Sequence, residues 1–448
     1  MADTVPPDDD RRAGKQRGHT SGTVADPRYA RSFQPDERTE RPTQGRAASR
    51  RTRSDRQNGT QDRNAAPSPA RPDANDGGSG ARSQGPAHDG KGRADGGPGR
   101  GAAFRGEAYA ALDLGTNNCR LLIARPSGRD FTVIDAFSRV VKLGDGLATS
   151  GRLSDAAMDR ALSALSICAD KLRRRNVRLA RSVATEACRR AENGAEFIER
   201  VRRETGIALD IISAEEEARL AVLGCHILLE AGEGPAMIFD IGGGSTELVL
   251  LEPGDAEGRH VPRILDWQSV PWGVVSLTDT VGHDDGRECA AGRASRIDRY
   301  ARMRELVRES FADFAARIGD APHTCDIRLL GTSGTVTTLA SIHLDLPHYD
   351  RKAVDGLIVS SDDMRAISTR LSAMSPAQRC ALPCIGNDRA DLVVAGCAIL
   401  ETILDLWPAA RLGVADRGIR EGILRSMMAA DRQGERALRK LRGGRSGE

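Results

Sequence analysis

One element occurs twice in this chain, and it limits the possible folds more than any other feature. An apolar run over 108–114 ends in Asp113 and Leu114, turns through Gly-Thr-Asn-Asn at 115–118, and leads into a second apolar run, CRLLIAR, at 119–125. At 236–252 the scheme returns as AMIFDIGGGSTELVLLE. Each copy reads as two strands joined by a tight turn. Asp113 and Asp240 hold equivalent places, 127 residues apart. A chain that repeats such a unit is expected to fold as two related halves, each opening with the same hairpin.

Strand and helix patterns alternate through the rest. A third strand is expected over 131–141. Ala157, Ala161, Leu162, Leu165, Cys168 and Leu172 have helical spacing over 154–174, opened by Ser154 and Asp155. A strand at 179–184, a helix near 192–204, a strand at 207–212 and a helix from 214 to about 230 complete the first half. Beyond the second hairpin come a helix near 290–317, a strand at 326–331, helices at 361–373 and 387–406, a strand at 411–415 and a last helix near 417–430. Alternation of this kind predicts an α/β protein, and the opening hairpins predict mixed sheets.

Composition separates the first quarter from the remainder. Residues 1–105 carry 20 basic and 14 acidic residues, with almost no large apolar side chains. Such a segment cannot bury enough surface to offset its ordering entropy, so a disordered N-terminal tail is expected. Its interleaved charges suit a solvated polyampholyte, with a loose tether for a polyanion as the alternative. The rest is slightly acidic, which does not suit coating nucleic acid. No run of about 18 apolar residues suggests a membrane span, and the N-terminus has no secretory core. The nine cysteines are scattered through apolar patterns, which predicts buried free thiols in a reducing cytoplasm. Cys380 and Cys384 are expected in the core rather than on a metal. The expected boundaries are a tail over 1–105, a first domain over 106–232, a second over 233–432 and a flexible end over 433–448. The last helix is free to pack back on the first domain.

The two turns carry the first chemical signal. Glycine lets successive N–H groups aim at one anion without side-chain obstruction. Gly115, Thr116 and Asn117 in the first turn, and Gly242, Gly243, Gly244, Ser245 and Thr246 in the second, therefore suit a phosphate clamp between two domains. A polyanion also needs its charge offset, usually by Mg²⁺ shared between carboxylates and substrate oxygens. Asp240 ends a strand at the second turn and Glu247 follows it, so both could reach such a metal. In Ser213-Ala-Glu-Glu-Glu-Ala218, Ser213 and Glu216 fit a capping box, and Glu215 suits the helix dipole. Glu217 is left without a local task, and a carboxylate there could activate water. In ATEACR at 184–189, Arg189 could fork onto phosphate oxygens, with Arg190 turned to solvent. Gly-Thr-Ser-Gly-Thr at 331–335 joins a strand to a helix and suits either an anion or a plain cap.

DLGTNNCRLLIA, ATEACR, EEEARLAVLG, FDIGGGSTELV, GTSGT and DRGIREGIL occur in this order. Together they resemble the exopolyphosphatase / guanosine pentaphosphate phosphohydrolase (Ppx/GppA) family over about 107–430. The resemblance implies a two-domain actin-like (actin / sugar kinase / Hsp70, ribonuclease H-like) fold with a cleft between the domains. It implies a cytoplasmic, Mg²⁺-dependent hydrolase that releases orthophosphate from inorganic polyphosphate, or the 5′-γ-phosphate from guanosine pentaphosphate. By motif, Glu217 matches the catalytic base and Arg189 the phosphate-contacting arginine. Asp240 and Glu247 match the acids linked to Mg²⁺, and Asp113 resembles the first-loop aspartate of the superfamily. Gly115–Asn117 and Gly242–Ser245 match the two phosphate loops. Ala214 stands where the family often has glycine, which favours the helix start. The additional C-terminal HD-like domain of longer members is not expected. Relatives include dimers, so a homodimer stays open. A sensor that binds polyphosphate or (p)ppGpp without hydrolysis is the alternative from another class. A kinase on this fold would need an acceptor-site base and a nucleotide pocket that the sequence does not reveal.

Overall fold

The computed structural model describes residues 107–128, 130–232, 234–252, 261–319 and 327–443. The expected tail, Cys325 and residues 444–448 lie outside the described residues.

The first lobe runs β1 (Ala108–Leu114), β2 (Asn118–Ser127), β3 (Asp130–Val140), α1 (Leu147–Ser150), α2 (Asp155–Arg174), β4 (Val177–Ala184), α3 (Glu186–Arg190), α4 (Gly194–Thr205), β5 (Leu209–Ile211) and α5 (Ala214–Cys225). The second runs β6 (Ala236–Ile241), β7 (Thr246–Leu251), β8 (Ile264–Val270), α6 (Val274–Val281), α7 (Ala290–Ile318), β9 (Arg328–Thr332), α8 (Gly334–His343), α9 (Arg351–Val354), β10 (Ile358–Ser360), α10 (Ser361–Ala373), α11 (Pro376–Cys380), α12 (Leu392–Leu406), β11 (Arg411–Ala415) and α13 (Ile419–Gly443).

The repeat is visible in the strand order. The first sheet is ordered β3-β2-β1-β4-β5 and the second β8-β7-β6-β9-β11, with β10 added at its edge. In both, the first three strands in sequence are antiparallel neighbours, and two later strands join in parallel, β4 and β5 in the first sheet and β9 and β11 in the second. This is the two-lobed α/β architecture expected from the repeated hairpin, and the actin-like fold that the family resemblance implies. Both lobes belong to one compact unit.

Alternation along the central strands explains how each sheet is covered on two faces. Successive side chains of a strand point to opposite sides. Ala108, Ala110, Leu112 and Leu114 join one apolar cluster with α2 and α4. Tyr109 and Ala111 join another, closed by Ile423, Leu424, Met427 and Met428 of α13. The last helix thus packs on the first sheet. In β6, Met237, Phe239 and Ile241 face the large core of the second lobe, while Ala236 and Ile238 face α5.

Helix α5 sits at the junction. Ala218, Val222 and Cys225 pack on the second sheet, and Leu220 packs on the first. It crosses α13 at two glycines: a Cβ on Gly224 would lie 1.9 Å from the Gly418 carbonyl oxygen, and one on Gly422 would lie 2.0 Å from that of Leu220.

Several details differ from the sequence expectation. The 207–212 strand shortens to Leu209–Ile211, and the helix expected to about 230 ends at Cys225 with a short 3₁₀ turn after it. Strands β8 and β10 and helix α6 were not legible: β8 is a half-buried edge strand, and the other two are short. The last helix continues to Gly443, into the segment expected to be flexible. Among the described residues, no helix is long and apolar enough to cross a membrane. The eight described cysteines are free, and five are buried as expected; Cys289, just before α7, is exposed instead. Cys380 is half-buried at the margin of the core, and Cys384 is half-buried with its thiol donating to Leu346 O.

Candidate active site

The two repeated turns meet across a cleft with about 940 Å³ of free space, open to solvent. The approach is close. A Cβ on Gly243 would lie 3.0 Å from Thr116 Cβ, and one on Gly244 would lie 2.6 Å from Thr116 Oγ1. Glycine is required here because the opposite turn occupies the side-chain space. The carbonyls of Gly242 and Gly243 accept N–H groups from the start of α6, at 2.9 Å from Val274 and 2.8 Å from Val275. Among the described residues, the N–H groups of Thr116, Asn117, Gly243, Gly244 and Ser245 take no backbone partner. Free amides grouped at two turns are suited to an anion.

Gly115 also lines the cleft, but its N–H is spent on Asn118 O at 2.9 Å; that of Gly242 is spent on Ser245 O at 2.9 Å. The expectation for Thr246 is corrected. Its hydroxyl donates to Trp272 O at 2.6 Å from a fully buried position, so it faces the lobe interior rather than a phosphate.

The hairpin registers place the acids. Asp113 pairs across the strands with Arg120, and Asp240 with Glu247. The two halves thus differ at one equivalent position, a cation in the first and an acid in the second. Arg120 lines the cleft and was missed from sequence. The signal was available: Arg120 stands to Asp113 as Glu247 stands to Asp240. Glu186, also missed, lines the cleft from the start of α3.

Glu217 is the buried member of its acidic triplet, only 7% exposed, and it lines the cleft. Ser213 Oγ caps α5 by accepting from Glu216 N at 3.1 Å. The reciprocal half of the expected capping box is not formed. The Glu216 carboxylate is taken by Arg181 at 2.9 Å and Arg219 at 2.7 Å, because two guanidinium groups outcompete one backbone amide.

Arg189 is engaged by protein groups. Its Nη1 donates to Glu217 Oε2 at 3.0 Å and to Ile212 O at 2.8 Å, and its Nη2 donates to Glu186 Oε2 at 2.6 Å. It reaches Glu217 rather than open cleft. Arg190 is exposed, as expected. The Glu247 carboxylate accepts from Ser245 Oγ at 2.7 Å and Ser269 Oγ at 2.9 Å, both on Oε1.

Four carboxylates share little solvent, and each holds its proton more tightly than usual. Burial is the first cause in every case. Asp113 is pushed up against the opposing pull of Arg120 and Arg420. Asp240 is pushed up to about 8, with the Glu247 charge adding to burial. Glu217 is raised well above the carboxylate range by burial and Glu247, with Arg189 opposing. Glu247 is raised despite its two serine donors. Asp113 Oδ1 is buried with no hydrogen-bond partner. Among the described residues, no three His, Cys, Asp or Glu side chains are gathered so as to hold a metal by themselves. An ion held by one or two carboxylates plus a ligand's phosphate oxygens fits this donor set, as is usual for Mg²⁺.

The fold and cleft define a two-lobed, actin-like α/β protein with paired glycine turns facing buried acids. The chain matches the Ppx/GppA phosphatase family over residues 122–431, and it belongs to that family. It is 30% identical over 335 residues to exopolyphosphatase 2 of Mycobacterium tuberculosis, covering 71% of this chain and 98% of that protein. It is 29% identical over 320 residues to guanosine-5′-triphosphate,3′-diphosphate pyrophosphatase of Aeromonas salmonicida, covering 71% of this chain and 59% of that protein. Among solved structures, an exopolyphosphatase from Cytophaga hutchinsonii superposes with a TM-score of 0.62 at 26% identity, covering 72% of this chain and 98% of that one. An Aquifex aeolicus Ppx/GppA family member superposes with a TM-score of 0.58 at 26% identity, with the same coverage.

Proposed function

We propose that this chain is an exopolyphosphatase that hydrolyses the terminal phosphoanhydride of inorganic polyphosphate. The observation that carries the proposal is the placement of Glu217: buried at the lobe junction, bonded to Arg189, and open to the cleft between the two glycine turns. The free amides of Thr116, Asn117, Gly243, Gly244 and Ser245 hold the terminal phosphate. Asp240, with Asp113 or Glu247, would hold Mg²⁺ together with substrate oxygens; the ion supplies charge neutralisation on the transferring phosphoryl group. Arg189 fixes the Glu217 carboxylate and favours its ionised form. Glu217 orients a water for in-line attack. The water oxygen bonds to the terminal phosphorus, and its proton passes to Glu217. The bridging P–O bond breaks with its electrons on the shortened chain, releasing orthophosphate. Glu217, Asp240 and Glu247 gathered at one cleft have a use in hydrolysis that simple binding lacks, which disfavours a pure sensor. The free thiols suit a reducing compartment, and cytoplasmic residence is proposed on that ground.

Guanosine pentaphosphate is the second candidate substrate. It is favoured by the cleft's extension past the acids to Ser333, Thr335, Leu392 and Val393, where a nucleoside could lie. The test is orthophosphate release with Mg²⁺ from polyphosphate and from guanosine pentaphosphate in parallel, with Glu217→Gln as control. Release from polyphosphate that the variant lacks supports the proposal. Release from the nucleotide alone moves the assignment to the pentaphosphate, and binding of either without release points to a sensor.

A further inference from the structure

Helix α6 is short, yet its two ends serve the two glycine turns. Its first residues hold the second turn: Val274 N and Val275 N donate to the carbonyls of Gly242 and Gly243, and Ser276 Oγ donates to that of Gly244 at 2.9 Å. With all three carbonyls engaged, the turn is fixed to the helix. The other end of α6 reaches the first lobe, where it packs on α1. Asp279, about 7.5 Å along the axis from Val274, takes a hydrogen bond from the Gly146 N–H there.

Gly146 belongs to the segment that carries the first turn. Val141 N and Lys142 N donate to Asn117 O at 2.9 and 3.1 Å, and Gly144 N donates to Thr116 O at 2.9 Å. Packing is tight: a Cβ on Gly144 would lie 2.3 Å from Thr116 Cγ2. A shift of this segment therefore carries Thr116 and Asn117 with it. One strut runs from Gly242–Gly244 through α6 and Asp279 to Gly146 and on to the first turn.

This contact joins the lobes away from the chain connections, which lie after α5 and before α13. Lys142 Nζ also meets Asp388 of the second lobe at 3.1 Å, but that pair is exposed and worth little. The Asp279 side chain is only 16% exposed, and His283 Nε2 lies 3.4 Å from its Oδ1. Its Oδ2 is buried with no hydrogen-bond partner among the described residues. Enclosing a carboxylate oxygen without a partner costs stability that an apolar side chain at the same place would not. Asp279 is not among the residues lining the cleft, so it acts on a ligand only through the turns.

We propose that Asp279 is a positioning residue that fastens the two glycine turns at the spacing at which both hold one phosphate. The proposal rests on the phosphoanhydride reading of the cleft. Loosening the strut leaves a smaller fraction of molecules ready to bind, and apparent affinity falls by that fraction. A bound phosphate bridges the turns itself, so the saturated enzyme turns over as before. The experiment measures orthophosphate release from polyphosphate by the full chain and its Asp279 variants. Asp279→Ala should raise KM by about tenfold, the loss expected for a hydrogen bond to a charged group, and change kcat by less than about threefold. Asp279→Asn keeps an acceptor for Gly146 and should hold KM within about threefold of the unaltered chain. In the absence of substrate, hydrogen exchange over residues 141–147 should be faster in Asp279→Ala. If that variant does not fold, Asp279→Ser takes its place with the same expectations. Unchanged KM or unchanged exchange overturns the proposal while leaving the proposed function standing. A loss of kcat and of Tm at constant KM does the same, since it marks a merely structural residue. If the unaltered chain releases orthophosphate from neither polyphosphate nor guanosine pentaphosphate, the proposed function falls and takes this role with it.

Discussion

Arg189 Nη1 donates to Glu217 Oε2 at 3.0 Å, joining a residue of α3 to one of α5 across the first lobe. The same guanidinium is held by Ile212 O and Glu186, so it is fixed before any ligand arrives. A carboxylate buried among other acids stays a usable base only if a cation opposes them, and Arg189 is the cation in contact with it.

Replacing the base should stop the chemistry and spare the binding. Glu217→Gln is expected to lower turnover by at least about 10²-fold with substrate affinity retained. Near-normal orthophosphate release by the variant would remove Glu217 from the base role.

Removing the opposing cation should move the pH profile. Arg189 pulls the Glu217 pKa down, so Arg189→Gln lets it rise further. The base must be ionised to act, so the acidic limb of kcat/KM against pH should shift to higher pH. A limb that stays in place would show that Arg189 does not tune Glu217.

Asp240 links stability to pH in the metal-free protein. Its pKa is pushed up to about 8 in the folded chain, above its ordinary value. Between roughly pH 4 and 8 the folded state keeps a proton that the unfolded state has lost, so stability falls as pH rises through this window. Thermal unfolding should show a lower Tm at pH 8.5 than at pH 6. Mg²⁺ added with a phosphate ligand should recover it, and Asp240→Asn should flatten the slope. A slope unchanged in the Asn variant would assign the effect to another acid.

The seat of α5 depends on a close helix crossing. A Cβ on Gly224 would stand 1.9 Å from the Gly418 carbonyl oxygen, and backbone cannot yield cheaply. Gly224→Ala should cost about 1–3 kcal/mol of stability and lower Tm by several degrees. An unchanged Tm would mean that the two helices separate freely.

Much of the architecture was legible because it is written locally. The repeated hairpin has an apolar run on either side of an Asp-aliphatic-Gly turn, and both copies fold as read. Glu217 stood out by elimination: its neighbours had local tasks, and it is the one buried. Arg120 was missed because no single strand shows its partner, although the register that pairs Asp240 with Glu247 pairs Asp113 with Arg120. Thr246 was misplaced because hydroxyls in a glycine turn look alike until the segment between β8 and α6 claims one of them.

By itself, the sequence determined two related α/β halves, two glycine turns led by Asp113 and Asp240, and an acid at position 217 with no local duty. These follow from turn chemistry and short-range periodicity, which act over a few residues. Only the tertiary structure decided that Arg189 serves Glu217 and Glu186, that α13 returns to cover β1, and that Asp279 meets Gly146 across the lobes. Each of these depends on which distant segments share a buried space. There, the cost of leaving a charge or an apolar face uncovered selects the partner, and chain distance does not.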